Sequence, residues 1–267
     1  MAHSLSNRRR KAIARLQRRK HRRATGRTLL ESRRAIASAL DAQAPLVDVV
    51  VDDAQQADPA LRAVLERVDV PIYTTDAATL AQITDVETPQ GLVAVVETPM
   101  ADADTLPPDL PPNAAVVVLD GVQDPGNVGT IIRTGAWFGA DAVVAGPGTA
   151  GLYGPKVMRA AMGGHWDLTC ARVTDIGGWL DALQRRGFGL YGADLHGIRA
   201  DVWHPERPSV LVLGSEAHGL SAPVLDRLTL AVSIPGAPDR RGAESLNVAV
   251  ASGIMVYEWI GGEGSMK

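Results

Sequence analysis

Three short stretches of this 267-residue chain carry polar side chains at glycine-marked turns. The first runs Asp120-Gly121-Val122-Gln123-Asp124-Pro125-Gly126-Asn127-Val128-Gly129 and leads into a helix holding Arg133. The second is Gly214-Ser215-Glu216-Ala217-His218-Gly219-Leu220, after the apolar run Val210–Leu213. The third begins Ile234-Pro235-Gly236, after Leu230–Ser233, and ends Glu244-Ser245-Leu246-Asn247. Each turn follows a segment that reads as a buried strand, and open α/β sheets bind ligands at the carboxyl ends of their strands. Asn127 reads as the N-cap of the helix that follows it, and Ser245 or Glu244 as the cap of the helix beginning Val248-Ala249-Val250. Taken singly, each turn is an ordinary turn with an ordinary cap. Taken together they place an amide, a carboxylate, a hydroxyl and a guanidinium around one ligand site.

Asn127, Gly129 and Arg133 match N-x-G-x-x-x-R. Gly214, Glu216 and Gly219 match G-x-E-x-x-G, and Ile234, Pro235, Ser245, Leu246, Asn247 and Val248 match I-P followed by S-L-N-V. In this order the three motifs make the chain resemble the SpoU/TrmH branch of the SPOUT RNA methyltransferases, and the three together are specific where one would be weak. Two positions depart from the family pattern. Gly236 stands where the family usually has methionine, and Ala249 replaces a serine.

The resemblance implies transfer of a methyl group from S-adenosylmethionine to a ribose 2′-hydroxyl of RNA, with no metal, by a homodimer whose sites form at the subunit interface. It implies that Gly214, Ile234 and Leu246, with Leu213, Pro235 and Gly219, contact the cofactor, and that Arg133, Asn127, Glu216, Ser245 and Asn247 act in catalysis. A guanidinium stays protonated, so Arg133 suits phosphate binding and alkoxide stabilisation rather than base catalysis, with a phosphate oxygen as proton acceptor. Asn127 and Glu216 would orient Arg133, while Ser245 and Asn247 would position ribose or cofactor. Ribosomal (23S) RNA is the expected substrate. A tRNA 2′-O-methyltransferase and a non-catalytic RNA-binding or ribosome-assembly factor on the same fold stay open as alternatives.

The elements that must position these residues follow from strands and helices alternating after Ala114. Strands are expected at Ala115–Leu119, Ala142–Ala145, Asp167–Val173, Gly189–Ala193, Val210–Gly214 and Leu230–Ile234. Helices are expected near Asn127–Phe138, Pro155–Met162, Asp175–Arg186, Ser221–Arg227 and Leu246–Trp259. This is an α/β domain with a mostly parallel sheet, and the resemblance adds a trefoil knot. Residues 28–98 read as a second, smaller α/β domain, with a helix at Leu29–Leu40 and strands at Leu46–Val51, Pro71–Thr74 and Gly91–Val96. The resemblance makes it a ribosomal-protein-like RNA-binding domain, although Glu31-Ser32 stands where relatives have E-G. A proline-rich linker, 99–113, separates it from the methyltransferase domain at 114–267.

Charge is unevenly placed. Residues 1–34 hold 13 of the 27 Lys/Arg against one acid, Glu31, so the rest of the chain is strongly acidic behind a net charge of −3. Residues 1–27 read as a basic arm that orders on RNA and carries sequence-independent affinity, with a helix around Ile13–Lys20. Gly146-Pro147-Gly148-Thr149-Ala150-Gly151 matches a dinucleotide fingerprint, but Pro147 and the turn residues through Pro155 leave no helix opening on those glycines. A single cysteine, Cys170, excludes an internal disulfide and a cysteine-cluster metal site. No apolar run spans a bilayer and no secretory h-region is visible, so a cytoplasmic protein is expected.

Overall fold

The computed structural model describes residues 3–86, 88–98, 110–239 and 241–261. Most of the expected linker, through Asp109, and Arg240 of the loop before the last helix lie outside the described residues. The chain forms two compact units. One comprises residues 1–100 with 153–166, and the other residues 101–152 with 167–267.

The first unit contains β1 (His3–Ser4), α1 (Asn7–Ala14), α2 (Arg19–Thr25), β2 (Arg27–Leu30), α3 (Arg33–Asp41), β3 (Leu46–Asp52), α4 (Pro59–Leu65), β4 (Ile72–Thr75), α5 (Ala77–Ile83) and β5 (Leu92–Glu97). Its sheet runs β1-β4-β3-β5-β2, with β5 antiparallel to both its neighbours. Side chains alternate across this sheet with period two. Val49, Val51, Leu92, Ala94 and Val96 enter a core on one face, and Val50, Val93 and Val95 enter a core on the other.

Two expectations change here. The segment read as one helix from Leu29 is strand β2 followed by helix α3, because Thr28-Leu29-Leu30 pairs with β5 and the Ser32 side chain caps α3 by accepting from Ala35 N. A short apolar run is consistent with either state, and the cap decides where the helix starts. The basic arm is also not an arm. Ser6 caps α1, His3 and Ser4 pair with β4, and Ile13 and Leu16 are buried in the second core. Buried apolar side chains hold this segment on the unit without RNA.

Helix α7 (Pro155–Ala161), read from sequence as part of the methyltransferase domain, also packs in the first unit. Thr28 Oγ1 donates to Tyr153 O at 2.6 Å, Met158 enters the core, and Arg159 pairs with the fully buried carboxylate of Glu31.

The second unit contains β6 (Ala115–Asp120), α6 (Pro125–Phe138), β7 (Ala142–Ala145), β8 (Thr169–Arg172), α8 (Ile176–Arg185), β9 (Gly189–Arg199), β10 (Ser209–Gly214), α9 (Ala222–Leu225), β11 (Leu230–Ser233) and α10 (Val248–Val256). All strand pairs in the sheet β11-β9-β10-β6-β7-β8 are parallel. The central strands β6, β7 and β10 are buried on both faces, which explains their unbroken apolar runs. Strand β9 runs six residues past its expected end. Leu110, placed in the linker from sequence, is buried in this unit's core. From β6 the chain moves to β7 on one side, whereas from β10 it moves past β9 to β11 on the other. The two strands diverge where they are paired, with Asp120 opposite Gly214. Such a switch point is where parallel sheets bind ligands.

Candidate active site

Three loops meet at the carboxyl ends of β6, β10 and β11. The first enters α6, and its cap is Asp124 rather than Asn127. The Asp124 side chain accepts from Asn127 N at 2.9 Å, with Pro125 in the first turn. Capping by Asp124 leaves the Asn127 amide available to act across the site.

The second loop is a short hairpin closed by two backbone bonds, Ser215 N to Gly219 O at 3.0 Å and Gly219 N to Ser215 O at 2.8 Å. Glu216, Ala217 and His218 form its exposed tip. Gly219 sits at φ +65°, and a Cβ at Gly214 would lie 2.4 Å from the Gly219 carbonyl carbon. Gly214 is therefore required by the hairpin's own backbone. Buried Asp120 fixes the hairpin's exit, accepting from Ser221 N at 2.6 Å. Asp120 and Asp124 escaped the sequence reading as site-building residues. Their position between a strand end and a proline-started helix was the signal available.

The third loop ends at α10. Asn247, not Ser245 or Glu244, caps this helix, its Oδ1 accepting from Ala249 N at 2.9 Å and from Val250 N at 3.3 Å. Its Nδ2 donates to Asn127 Oδ1 at 3.0 Å, and Asn127 Nδ2 donates to Glu216 Oε1 at 2.6 Å. The chain Glu216–Asn127–Asn247 thus ties the three loops through one amide that donates and accepts at once.

Not every expected residue joins this cluster. Ser245 is exposed and makes no hydrogen bond among the described residues. The Arg133 side chain is exposed on α6 without an ion pair or hydrogen bond among the described residues. Six helical residues separate it from Asn127, about 9 Å along the axis and roughly 120° around it, so the two side chains leave α6 in different directions. Beside Arg133 on the helix surface, Trp137 is 83 % exposed. On α10, which packs against α6, Val250 and Ile254 are also exposed, as is Tyr257 just after the helix.

Leu213 is buried at the end of β10, and Ile234 and Pro235 lead away from β11. Leu246 is 48 % exposed, and neither its N–H nor its C=O meets a partner among the described residues. An apolar side chain flanked by a free donor and a free acceptor fits the face and edge of a purine. These residues fit the adenosine of S-adenosylmethionine.

The glycine-rich 146–151 loop does the opposite of cradling a phosphate. Its carbonyls at Gly146, Thr149 and Ala150 receive the Arg172 guanidinium at 3.2, 3.0 and 2.7 Å. Thr149 Oγ1 bonds Leu119 O and accepts from Gly121 N, bracing the turn after β6.

Comparison with known proteins gives the family. The pattern described as the SpoU rRNA Methylase family matches residues 114–257, and that of an MRM3-like substrate binding domain matches residues 7–94. The chain is 31 % identical over 255 residues to the 23S rRNA (guanosine(2553)-2′-O)-methyltransferase RlmP of Bacillus subtilis, covering 95 % of this chain and 96 % of the relative. Its structure is similar to that of the SpoU methyltransferase AviRb of Streptomyces viridochromogenes in complex with AdoMet, with a TM-score of 0.85, 28 % identity, and coverage of 98 % of this chain and 100 % of that one. An AdoMet-bound rRNA methyltransferase from Sinorhizobium meliloti gives a TM-score of 0.79 at 27 % identity, covering 96 % and 95 %. The chain belongs to the SpoU rRNA Methylase family.

Proposed function

We propose that this protein is an S-adenosylmethionine-dependent RNA 2′-O-ribose methyltransferase acting on ribosomal RNA as a homodimer in the cytoplasm. The observation that carries the reading is the Glu216–Asn127–Asn247 hydrogen-bond chain, which brings the three motifs to one switch point. When bound, S-adenosylmethionine supplies a methyl group on sulfonium, so the C–O bond forms as the C–S bond breaks.

The chain's own residues hold the two reactants in line and handle charge and proton. Leu246, Ile234 and Pro235 wall the adenosine, and the free backbone groups of Leu246 read its edge. The tethered amides of Asn127 and Asn247 fix the loop carrying Glu216 against the start of α10. Ser245, exposed beside Asn247, positions the ribose. Arg133 binds the phosphate next to the target nucleotide and stabilises the alkoxide as the 2′-oxygen loses its proton to a phosphate oxygen.

The direction of Arg133 away from Asn127 supports a dimer in which Arg133 completes the partner's site. The exposed Trp137, Val250, Ile254 and Tyr257 supply the apolar face for that dimer. The trefoil knot of the SPOUT fold belongs to the same proposal.

The test is transfer of labelled methyl from S-adenosylmethionine to total RNA with chelator present, followed by mapping of alkali-resistant linkages. Label in 23S rRNA is the expected result, and label in tRNA instead would move the substrate assignment. A dimer that binds the cofactor yet labels no RNA would leave only the non-catalytic alternative.

A further inference from the structure

We propose that α1 and α2 form a preformed face for the phosphate backbone of helical RNA, built from a defined subset of the basic residues. This rests on the reading that the substrate is RNA. From Leu5 to Leu30 the chain has no acidic residue. The structure sorts its cations into two sets.

One set is spent on the fold. Arg9 binds Asp48 through Nη2 at 2.8 Å and Nε at 3.2 Å, and lies 4.4 Å over the Tyr73 ring. Arg10 donates to Gln82. Arg22 Nη1 donates to Leu16 O at 2.9 Å and Gln17 O at 2.7 Å, tying α2 to the turn after α1. Arg27 pairs with Glu97 at 3.2 Å.

The other set comprises Arg8, Lys11, Arg15, Arg18, Arg19, Lys20 and Arg23, all exposed, with no side-chain ion pair or hydrogen bond among the described residues. Arg8, Lys11 and Arg15 follow i, i+3, i+7 spacing and line one side of α1 and the helical residue that ends it, over about 10 Å. The buried Ile13 and Leu16 follow a different stripe, turned towards the core. Charge is thus held outward by a folded element, so little ordering entropy is lost on binding.

The chemistry of this face selects among polyanions. Single-strand binders add aromatic platforms on which bases stack, but Leu5 to Leu30 contain no Phe, Tyr or Trp. The nearby Tyr73 ring is already covered by Arg9. Helical RNA is recognised through its shape and backbone, for which unpaired cations on a rigid scaffold suffice. A membrane surface would need an apolar face beside the cations, and here Ile13 and Leu16 point inward.

The experiment uses the full chain with Lys11→Gln, Arg15→Gln, Arg18→Gln and Arg19→Gln combined. Deleting residues 1–27 would strip Ile13 and Leu16 from the core and is not a clean test. Affinity for an RNA hairpin of arbitrary sequence is measured against salt, beside an unpaired RNA of equal length and vesicles containing phosphatidylserine. The wild type should prefer the hairpin. The variant should keep its Tm, bind the hairpin at least about tenfold more weakly at low salt, and show a log-log salt slope shallower by roughly 0.9 per lost phosphate contact. Arg9→Gln should instead lower Tm. A folded variant with unchanged affinity and slope overturns the inference, as does equal wild-type affinity for unpaired RNA. Loss of vesicle binding with no change towards RNA also overturns it, in favour of a membrane face. Hairpin binding with the expected slope in a protein that methylates no RNA would leave this face standing and remove the methyltransferase reading.

Discussion

Asn127 Nδ2 lies 2.6 Å from Glu216 Oε1 although 89 positions separate the two residues. The contact closes only because β6 and β10 are paired neighbours, with Asp120 opposite Gly214. Asn127 also accepts from Asn247, so it needs an amide's two ends.

Asn127→Asp keeps the size but replaces the donor by a second carboxylate facing Glu216. Like charges at this distance repel, and one of the two carboxyls would then titrate above its usual range. Methyl transfer at neutral pH should fall by about 10- to 100-fold, the worth of a hydrogen bond to a charged group. It should recover in part as pH falls and the pair shares a proton, whereas the wild type should show no such gain. Single-turnover rates at several pH values decide this, and a flat profile at wild-type rate would remove Asn127 from the mechanism.

Arg133→Ala should lose most turnover while keeping fold and cofactor affinity, and Arg133→Lys should rescue poorly because one point charge cannot replace a planar fork. Its direction on α6 makes a sharper test possible. Unfolding and refolding Arg133→Ala with Asn127→Ala, each inactive alone, gives mixed dimers with one intact site if Arg133 serves the partner. Activity should return to about a quarter of wild type in a random mixture. No recovery from proven mixed dimers would place Arg133 in its own subunit's site.

Gly214→Ala should cost both stability and cofactor affinity, because its Cβ would collide with backbone rather than with a movable side chain. Overpacking of this kind costs about 1–3 kcal/mol. Thermal melts and calorimetry with S-adenosylmethionine check it together. Wild-type values for both would mean that the hairpin relaxes freely.

Cys170 is a probe of global opening. Burial pushes its thiol up from 9.0 to about 12. The neutral thiol is the form stabilised by folding, so the contribution is complete below about pH 8.5, the usual thiol range, and fades as pH rises towards 12. Alkylation of the native protein at pH 8 should be slow and should follow unfolding, with stability declining in mild alkali. Cys170→Ser, which titrates far higher, should flatten that alkaline decline. Fast labelling of the folded protein would contradict the burial.

The sequence by itself determined much of the second unit. Unbroken apolar runs flanked by turn residues marked β6, β7 and β10, because a strand buried on both faces needs no polar alternation. The three motifs were legible as motifs, since their glycines and polar residues stand at fixed spacing. Local signals left the caps open. Asp124 and Asn127 are both good N-caps three positions apart, and only the partner across the sheet, Glu216, shows which of them is free. Ser245 and Asn247 pose the same choice, and there Asn247 takes both roles, its Oδ1 capping α10 while its Nδ2 reaches Asn127.

Tertiary structure decided three things that no local pattern carries. Ile13 and Leu16 are too thin a stripe to predict a packed helix, yet a core built by Leu29, Val50 and Val93 gives them a place, and the basic arm becomes part of a domain. Pro155–Ala161 reads as a helix from sequence, but the unit it joins is set by Glu31 and Thr28, more than a hundred residues earlier. The division of the basic residues into fold-holding and free side chains depends on where Asp48, Gln82 and Glu97 lie in space. Local sequence specifies what a residue can bond to, and only the folded chain specifies which partner arrives within reach.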